Sequence, residues 1–252
     1  MIRVALNGAN GRMCRVIYDL IQKREDCKVV VGFDINDTPY ADFPIYKNRE
    51  EFDGEIDVII DFSHVNGVRE VLDYAAPRAI PVVVATTGSN AEQVAYIKSK
   101  AAEIPLFFTY NMSLGINLLA ELARKAVAVL GDQYDIEIIE KHHNQKIDAP
   151  SGTAIMLANA INEAANEQYS YVYDRHAYRK KREPKEIGMH AIRGGTIVGE
   201  HTILFAGRDE TIELTHSAAS KEVFAVGAVN AAVFLAGQKP GIYDMKDLLA
   251  QV

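Results

Sequence analysis

The sequence predicts an α/β fold, a doubly wound parallel sheet covered by helices, followed by a second domain of α+β type. Two observations carry this reading. Through residue 110, short β-branched runs alternate with amphipathic stretches; from about Met112 a long helical pattern leads instead into alternating strands joined by short polar turns. Ile2–Leu6, Val29–Phe33, Val58–Asp61, Val82–Ala85 and Leu106–Phe108 read as strands, with helices at Met13–Arg24, Asn66–Pro77 and Ala91–Ala102. Strands that are apolar throughout, separated by helices, belong to a parallel sheet buried on both faces.

In the second part, a helix over Ile116–Leu130 precedes a strand at Tyr134–Glu140 and a helix at Thr153–Glu167. Three alternating segments follow, near Met189–Ile197, Glu200–Phe205 and Thr211–Thr215, and short turns such as GRDE give them an antiparallel signature. The tail is helical again at Val223–Ala236 and Asp244–Ala250, and its return to the first domain would make that domain discontinuous. The expected division is 1–112 with 223–252, and 113–222.

At 252 residues and 48% apolar content, the chain suits a soluble globular protein of one large or two modest domains. Lys and Arg number 27 against 34 Asp and Glu, a net charge of −7 that speaks against a general nucleic-acid partner. An anionic ligand therefore needs a local positive site. Cys14 and Cys27 are too few and too poorly spaced for a zinc site or a disulfide framework, which suits a reducing compartment. The start, MIRVALNGANGR, has no apolar stretch of secretory length, and no run approaches a membrane span, so the expectation is a cytoplasmic protein with no membrane partner.

The strand IRVAL runs into Asn7-Gly8-Ala9-Asn10-Gly11-Arg12-Met13-Cys14 and then a helix, the context a dinucleotide-binding turn requires. Gly8 permits the tight turn and Gly11 lets backbone approach a pyrophosphate, whose charge the helix start stabilises. Cys14 occupies the third glycine position and is small enough for helix–strand packing. Asp34 ends the second strand where an acidic residue binds adenosine ribose hydroxyls, and Ile35 follows where an arginine would grip a 2′-phosphate. Ala85-Thr86-Thr87-Gly88 and Thr109-Tyr110-Asn111-Met112 also follow apolar strands, at the carboxyl ends where open α/β sheets bind ligands. This is a Rossmann-type pattern, with NADH expected to serve at least as well as NADPH.

The second chemical feature is EKHHNQKIDAPSGTA, residues 140–154. A strand delivers His142 and His143 into a loop, Lys146 follows, and Pro150 and Ser151 signal a helix start whose Gly152 and Thr153 amides face an anion. Cationic donors beside such a helix start make a dicarboxylate site, and a histidine beside a lysine supplies proton donors near neutral pH. Adjacent histidines do not readily share one ion and no third ligand has suitable spacing, so no metal is expected.

With this motif the chain resembles the 4-hydroxy-tetrahydrodipicolinate reductases, also called dihydrodipicolinate reductases, of lysine biosynthesis through diaminopimelate. NGANGRM, DVIIDFS at 57–63, ATTG at 85–88, YNMSLGIN at 110–117, IRGGTIVGEHT at 192–202, ELTHSA at 213–218 and GIYDMKDLL at 241–249 agree in order along the chain. The resemblance implies His142 as acid/base, Lys146 as proton donor, and His143, Gly152 and Thr153 as substrate-carboxylate binders. It implies that Gly8, Ala9, Asn10, Gly11, Arg12, Met13, Asp34, Ala85, Thr86, Thr87, Thr109, Tyr110, Asn111 and Met112 hold NADH or NADPH. Hydride transfer to a cyclic imine dicarboxylate would give tetrahydrodipicolinate, in a homotetramer joined through the sheet of the second, substrate-binding domain. Cys14 and Ile35 depart from the family's usual glycine and frequent arginine.

The basic run Arg175–Lys185 reads as a solvated surface loop. Two rival functions share parts of the pattern. A semialdehyde or homoserine dehydrogenase shares the cofactor-domain pattern, and the semialdehyde enzyme needs a cysteine nucleophile, for which neither cysteine is placed; a nucleotide-sensing protein without activity has no use for His142, His143 and Lys146 together.

Overall fold

The computed structural model describes residues 1–177 and 179–251. Along the chain run β1 (Ile2–Asn7), α1 (Arg12–Ile21), β2 (Cys27–Phe33), β3 (Ile45–Tyr46), β4 (Val58–Asp61), α2 (Val68–Ala75), β5 (Val82–Val84), α3 (Ala91–Lys100) and β6 (Pro105–Phe108). Next come α4 (Leu114–Leu130), β7 (Asp135–His142), α5 (Gly152–Ala164), β8 (Ser170–Val172), β9 (Glu186–Arg193), β10 (Gly199–Ala206) and β11 (Thr211–Ala218). The chain ends with α6 (Glu222–Leu235), β12 (Gly241–Tyr243) and α7 (Met245–Leu249). These elements form two compact units, Met1–Leu114 with Glu222–Val252, and Gly115–Lys221.

In the first unit the strands lie in the order β12-β6-β5-β4-β1-β2-β3, and every pairing is parallel. Residues of these strands feed two separate apolar layers, alternating along β1, β4, β5 and β6. Val4, Leu6, Val58, Ile60, Val83 and Phe107 pack with α1 and α6, while Ala5, Val31, Ile59, Val82, Val84 and Leu106 pack with α2 and α3. Both faces are covered, which explains why the strands are apolar throughout rather than alternating. Cys14 and Cys27 are buried free thiols of the first layer.

Helix α6 is apolar nearly all round and buries Ala225, Gly227, Ala228, Val229, Ala231, Ala232 and Leu235. Small residues on that surface let it lie close to the backbone that follows β6. A Cβ placed on Gly227 would stand 1.7 Å from the Met112 carbonyl oxygen, so no side chain fits there.

The second unit has a sheet in the order β11-β10-β7-β9-β8. One face carries Ile136, Ile138, Ile187, Met189, Ile203 and Phe205 onto α4 and α5. The sequence pattern suggested an antiparallel series, and β10 is antiparallel to both β7 and β11; β9, however, runs parallel to β7 and to β8. The sheet is therefore mixed. The long connection from β7 through α5 and β8 to β9 is a crossover, the only kind of link that returns a chain parallel to its starting strand. Strands β3, β8 and β12 are too short to show a period and fall outside the sequence expectation.

The basic run does not behave as a uniformly solvated loop. Arg175 pairs with Glu186 at 2.9 Å and Glu137 at 3.3 Å, and Arg182 reaches Asp135 at 2.8 Å and Glu137 at 3.1 Å. Two of its cations thus tie the segment to β7. Position 178 of the run lies outside the described residues. No described helix is long and apolar enough to cross a membrane.

Gly227→Ala is expected to destabilise the first unit by about 1–3 kcal/mol, the usual cost of overpacking, and urea denaturation will read it as a lowered midpoint.

Candidate active site

The carboxyl ends of β1, β2, β4, β5 and β6 carry the segments expected to hold a dinucleotide. Gly8 has φ +80°, and a Cβ there would meet the Phe62 carbonyl oxygen at 2.8 Å and Ser63 Cα at 2.9 Å. A Cβ on Gly11 would meet the Gly8 carbonyl oxygen at 2.9 Å, so both glycines are sterically required. The Gly8 and Ala9 N–H groups donate to the Phe33 carbonyl oxygen, and the Gly11 N–H to that of Gly8. Helix α1 then begins at Arg12 with Gly11 as its cap and no capping side-chain hydrogen bond. Cys14 Sγ packs 3.6 Å from the Asn7 carbonyl oxygen, the tight helix–strand contact expected at that position.

Asp34 braces this turn. Its carboxylate accepts from the Asn10 N–H at 2.9 Å and the Asn36 N–H at 3.0 Å, while Asn10 Nδ2 donates to the carbonyls of Asn36 and Thr38. Ile35 is 93% exposed and offers no polar group to a ligand. Thr86 is buried and its hydroxyl donates to Asp61 Oδ2 at 2.8 Å, so its side chain points inward. Asn111 and Met112 are buried, Tyr110 is exposed, and the Thr109 hydroxyl lies 3.2 Å from the Asn111 carbonyl oxygen.

Sequence reading missed the centre of this edge. Asp61 is fully buried, accepts from Asn7 Nδ2 at 2.7 Å and from Ser63 Oγ at 2.6 Å, and thereby joins β1, β4 and the segment after β5. Arg49 in turn donates to Asn7 Oδ1 at 2.9 Å.

In the second unit the apolar face of the sheet turns polar toward the start of α5. Along β7 the inward residues run Ile136, Ile138, Glu140, His142, and along β10 they run Phe205, Ile203, His201, Gly199. Glu140 is fully buried. Its Oε2 lies 2.6 Å from His142 Nδ1, its Oε1 accepts from the Ser151 N–H at 3.0 Å, and Arg193 donates to both oxygens at 2.8 and 2.7 Å. Burial alone would push its carboxyl up, but the hydrogen bonds from Arg193, His142 and Ser151 hold it below the usual carboxylate range. Arg193 stands opposite His142 in the β7–β9 ladder and also donates to the Asp148 carbonyl oxygen at 2.6 Å.

His142 is itself buried, and a Cβ on Gly199 would lie 3.2 Å from its Nε2; the glycine keeps that side of the ring clear. His201 packs edge-on against His142 with ring centroids 5.2 Å apart, and its Nε2 lies 3.0 Å from Ser151 Oγ. Burial first, then the neighbouring His142, push His201 down to about 4. Ser151 caps α5 by accepting from the Ala154 N–H at 3.1 Å, with Gly152 exposed and Thr153 half-buried in the first turn. Lys146 Nζ lies 2.8 Å from Asp148 Oδ1, and His143 is half-buried on the same loop. The structure thus gathers His142, His143, Lys146, Gly152 and Thr153 around one strand end and one helix start. Glu140, Arg193 and His201 were not singled out from sequence. The signal for Glu140 was its i, i+2 spacing from His142, which places both on one face of a strand.

A Rossmann-type unit joined to one that gathers histidines and a lysine at a helix start defines a nicotinamide-dinucleotide oxidoreductase. Family models for the N-terminus and C-terminus of dihydrodipicolinate reductase match residues 2–112 and 115–249. A 4-hydroxy-tetrahydrodipicolinate reductase from Caldanaerobacter subterraneus subsp. tengcongensis is 50% identical over 249 residues, covering 99% of this chain and 98% of that protein. One from Clostridium botulinum is 45% identical, with 99% and 98% covered. The dipicolinate-bound dihydrodipicolinate reductase from Paenisporosarcina sp. TG-14 superposes with a TM-score of 0.81 at 25% identity, covering 97% of each chain. The chain belongs to the dihydrodipicolinate reductase family.

His201 gives the second unit an acid sensitivity of predictable sign. Between pH 6.5 and about 4 the unfolded chain protonates this ring while the folded chain does not, so stability is full above 6.5 and falls with pH across that window. His201→Gln is expected to remove roughly 3 kcal/mol at most of that loss, read as a flatter dependence of unfolding free energy on pH.

Proposed function

We propose that this chain reduces 4-hydroxy-tetrahydrodipicolinate to tetrahydrodipicolinate, with a nicotinamide cofactor supplying the hydride when bound. The observation that carries this reading is the His142 ring, held through Nδ1 by a buried carboxylate, with Nε2 left clear beside Gly199 at the start of α5.

The residues of the first unit fit a dinucleotide. A glycine-capped helix without a side-chain cap suits a pyrophosphate, which would supply the missing acceptor. Asp34 spends two acceptor positions on backbone N–H groups, and a carboxylate has about four, so ribose hydroxyls find room. Its negative charge beside the apolar Ile35 favours a free 2′-hydroxyl over a 2′-phosphate.

On the substrate side, His143 and the first turn of α5 bind carboxylate, and Lys146 exchanges its exposed partner Asp148 for the substrate. Loss of the ring hydroxyl as water leaves a conjugated cyclic imine; hydride addition to it gives an electron-rich ring, which the Lys146 cation stabilises while one proton passes from His142 or Lys146 to the neighbouring carbon. For assembly, the face of the second unit's sheet turned away from α4 and α5, with Ile139, Ile192 and Leu204 among polar residues, is the surface through which a homotetramer would form.

The test is a coupled assay with freshly generated substrate and each cofactor in turn. His142→Ala and Lys146→Ala are each expected to lower kcat by roughly two orders of magnitude, the usual contribution of a general acid, and unchanged turnover in both would sink the mechanism. His143→Ala should instead raise KM with a smaller effect on kcat, because it removes a binding contact. In the same assay NADH is expected to be used at least as well as NADPH; a strong kinetic preference for NADPH would refute the role given to Asp34.

A further inference from the structure

We propose that Glu140, clamped by Arg193, is the positioning residue that fixes His142 as its Nδ1–H tautomer and so makes Nε2 the nitrogen that exchanges a proton with the substrate. The proposal deepens the reading of His142 as acid/base and rests on it.

The geometry leaves the ring one arrangement. An ionised carboxylate only accepts hydrogen bonds, so the 2.6 Å contact between Glu140 Oε2 and His142 Nδ1 requires the proton on Nδ1. The neutral ring then carries its lone pair on Nε2, the nitrogen Gly199 keeps clear. Were Glu140 protonated, it could donate to Nδ1 and move the ring proton to Nε2. Three other donors prevent that: both terminal nitrogens of Arg193 and the Ser151 N–H. The four contacts also exclude Glu140 as a proton store, because a carboxylate held ionised by Arg193 does not take up the proton His142 releases.

The other groups facing His142 do not compete for the role. His201, across the ring, is engaged by Ser151 Oγ through Nε2 and makes an edge contact rather than a hydrogen bond to His142. Arg193 adds a second constraint. By donating to the Asp148 carbonyl oxygen, it ties the loop bearing Lys146 to the carboxylate that orients His142, so both proton-handling groups take their place from one buried ion pair. A carboxylate that sets tautomer and orientation without itself gaining a proton is the logic by which catalytic histidines are oriented on unrelated folds.

The experiment measures ring-nitrogen NMR spectra and steady-state kinetics of the full chain for the wild type, Glu140→Gln, and the double variant Glu140→Met with Arg193→Met. The double variant removes both charges together, so no buried charge is left unpaired. The wild-type His142 ring should show a single Nδ1–H tautomer when neutral, and both variants a mixture. Their kcat should fall roughly 100-fold while KM stays within about threefold, a split that a loss of binding would not give. The proposal is overturned if wild-type His142 is mainly the Nε2–H tautomer, or if a folded variant with mixed tautomers keeps kcat within about threefold of wild type. If the double variant fails to fold, Glu140→Gln and the wild-type spectrum decide alone. His142→Ala run alongside separates the two readings: a large loss there with none in the Glu140 variants removes only the role of Glu140, whereas no loss there removes the role of His142 as well.

Discussion

A carboxyl group buried at the end of a core strand has to be met by donors from several chain segments, because moving it out of water costs several kcal/mol that only good hydrogen bonds offset. Both units of this protein are organised around that requirement. In the first, Asp61 ends β4 and draws Asn7 from β1, Ser63 from the following turn and Thr86 from the segment after β5. In the second, Glu140 draws Arg193 from β9, the Ser151 N–H from the start of α5 and His142 from its own strand. Apolar packing fixes which strands are neighbours. These two groups fix how the strand ends and loops sit, to within hydrogen-bond tolerance.

The difference in donors matters. Asp61 is satisfied by neutral amide and hydroxyl groups, which hold a scaffold in place without placing a strong positive charge on it. Glu140 meets a guanidinium end-on, a stronger and more directional contact. That contact does more than hold a loop, since it keeps the carboxylate an acceptor toward a histidine.

Much of the fold was legible because the first unit's sheet is covered on both faces and so is written as continuous apolar runs; Val58–Asp61 matches its strand end to end. The helical tail was legible as well, and an all-apolar helix such as α6 must be buried; the structure groups it with Met1–Leu114. The misreading was local: β9 was taken as part of an antiparallel series, whereas it pairs parallel with β7. That misreading hid half of the site. With β9 parallel, Arg193 falls opposite His142, 51 positions further along the chain, and no periodicity marks such a pairing. Glu140 was visible only as a polar residue in a strand that faces its core on alternate positions. Asp34 shows another limit: its place at the end of β2 was legible, but its work as a brace for Asn10 depends on a backbone path that composition does not specify.

Of the histidines at the second unit's polar layer or its rim, His142, His143 and His201 have environments that assign them different work. His142 faces a carboxylate and His143 lies on the loop, while His201 is buried against Ser151 and pushed down to about 4. A His201 that stays neutral has a consequence for its neighbour. With the two ring centroids 5.2 Å apart, a charged His201 would oppose any proton arriving on His142. Burial removes that repulsion, and it leaves Arg193 as the permanent cation of the layer, already matched by Glu140. The layer is therefore close to neutral before His142 is protonated. In the role proposed for His142, a proton would be taken and given at Nε2 without moving a second charge, the condition a preorganised proton donor has to meet.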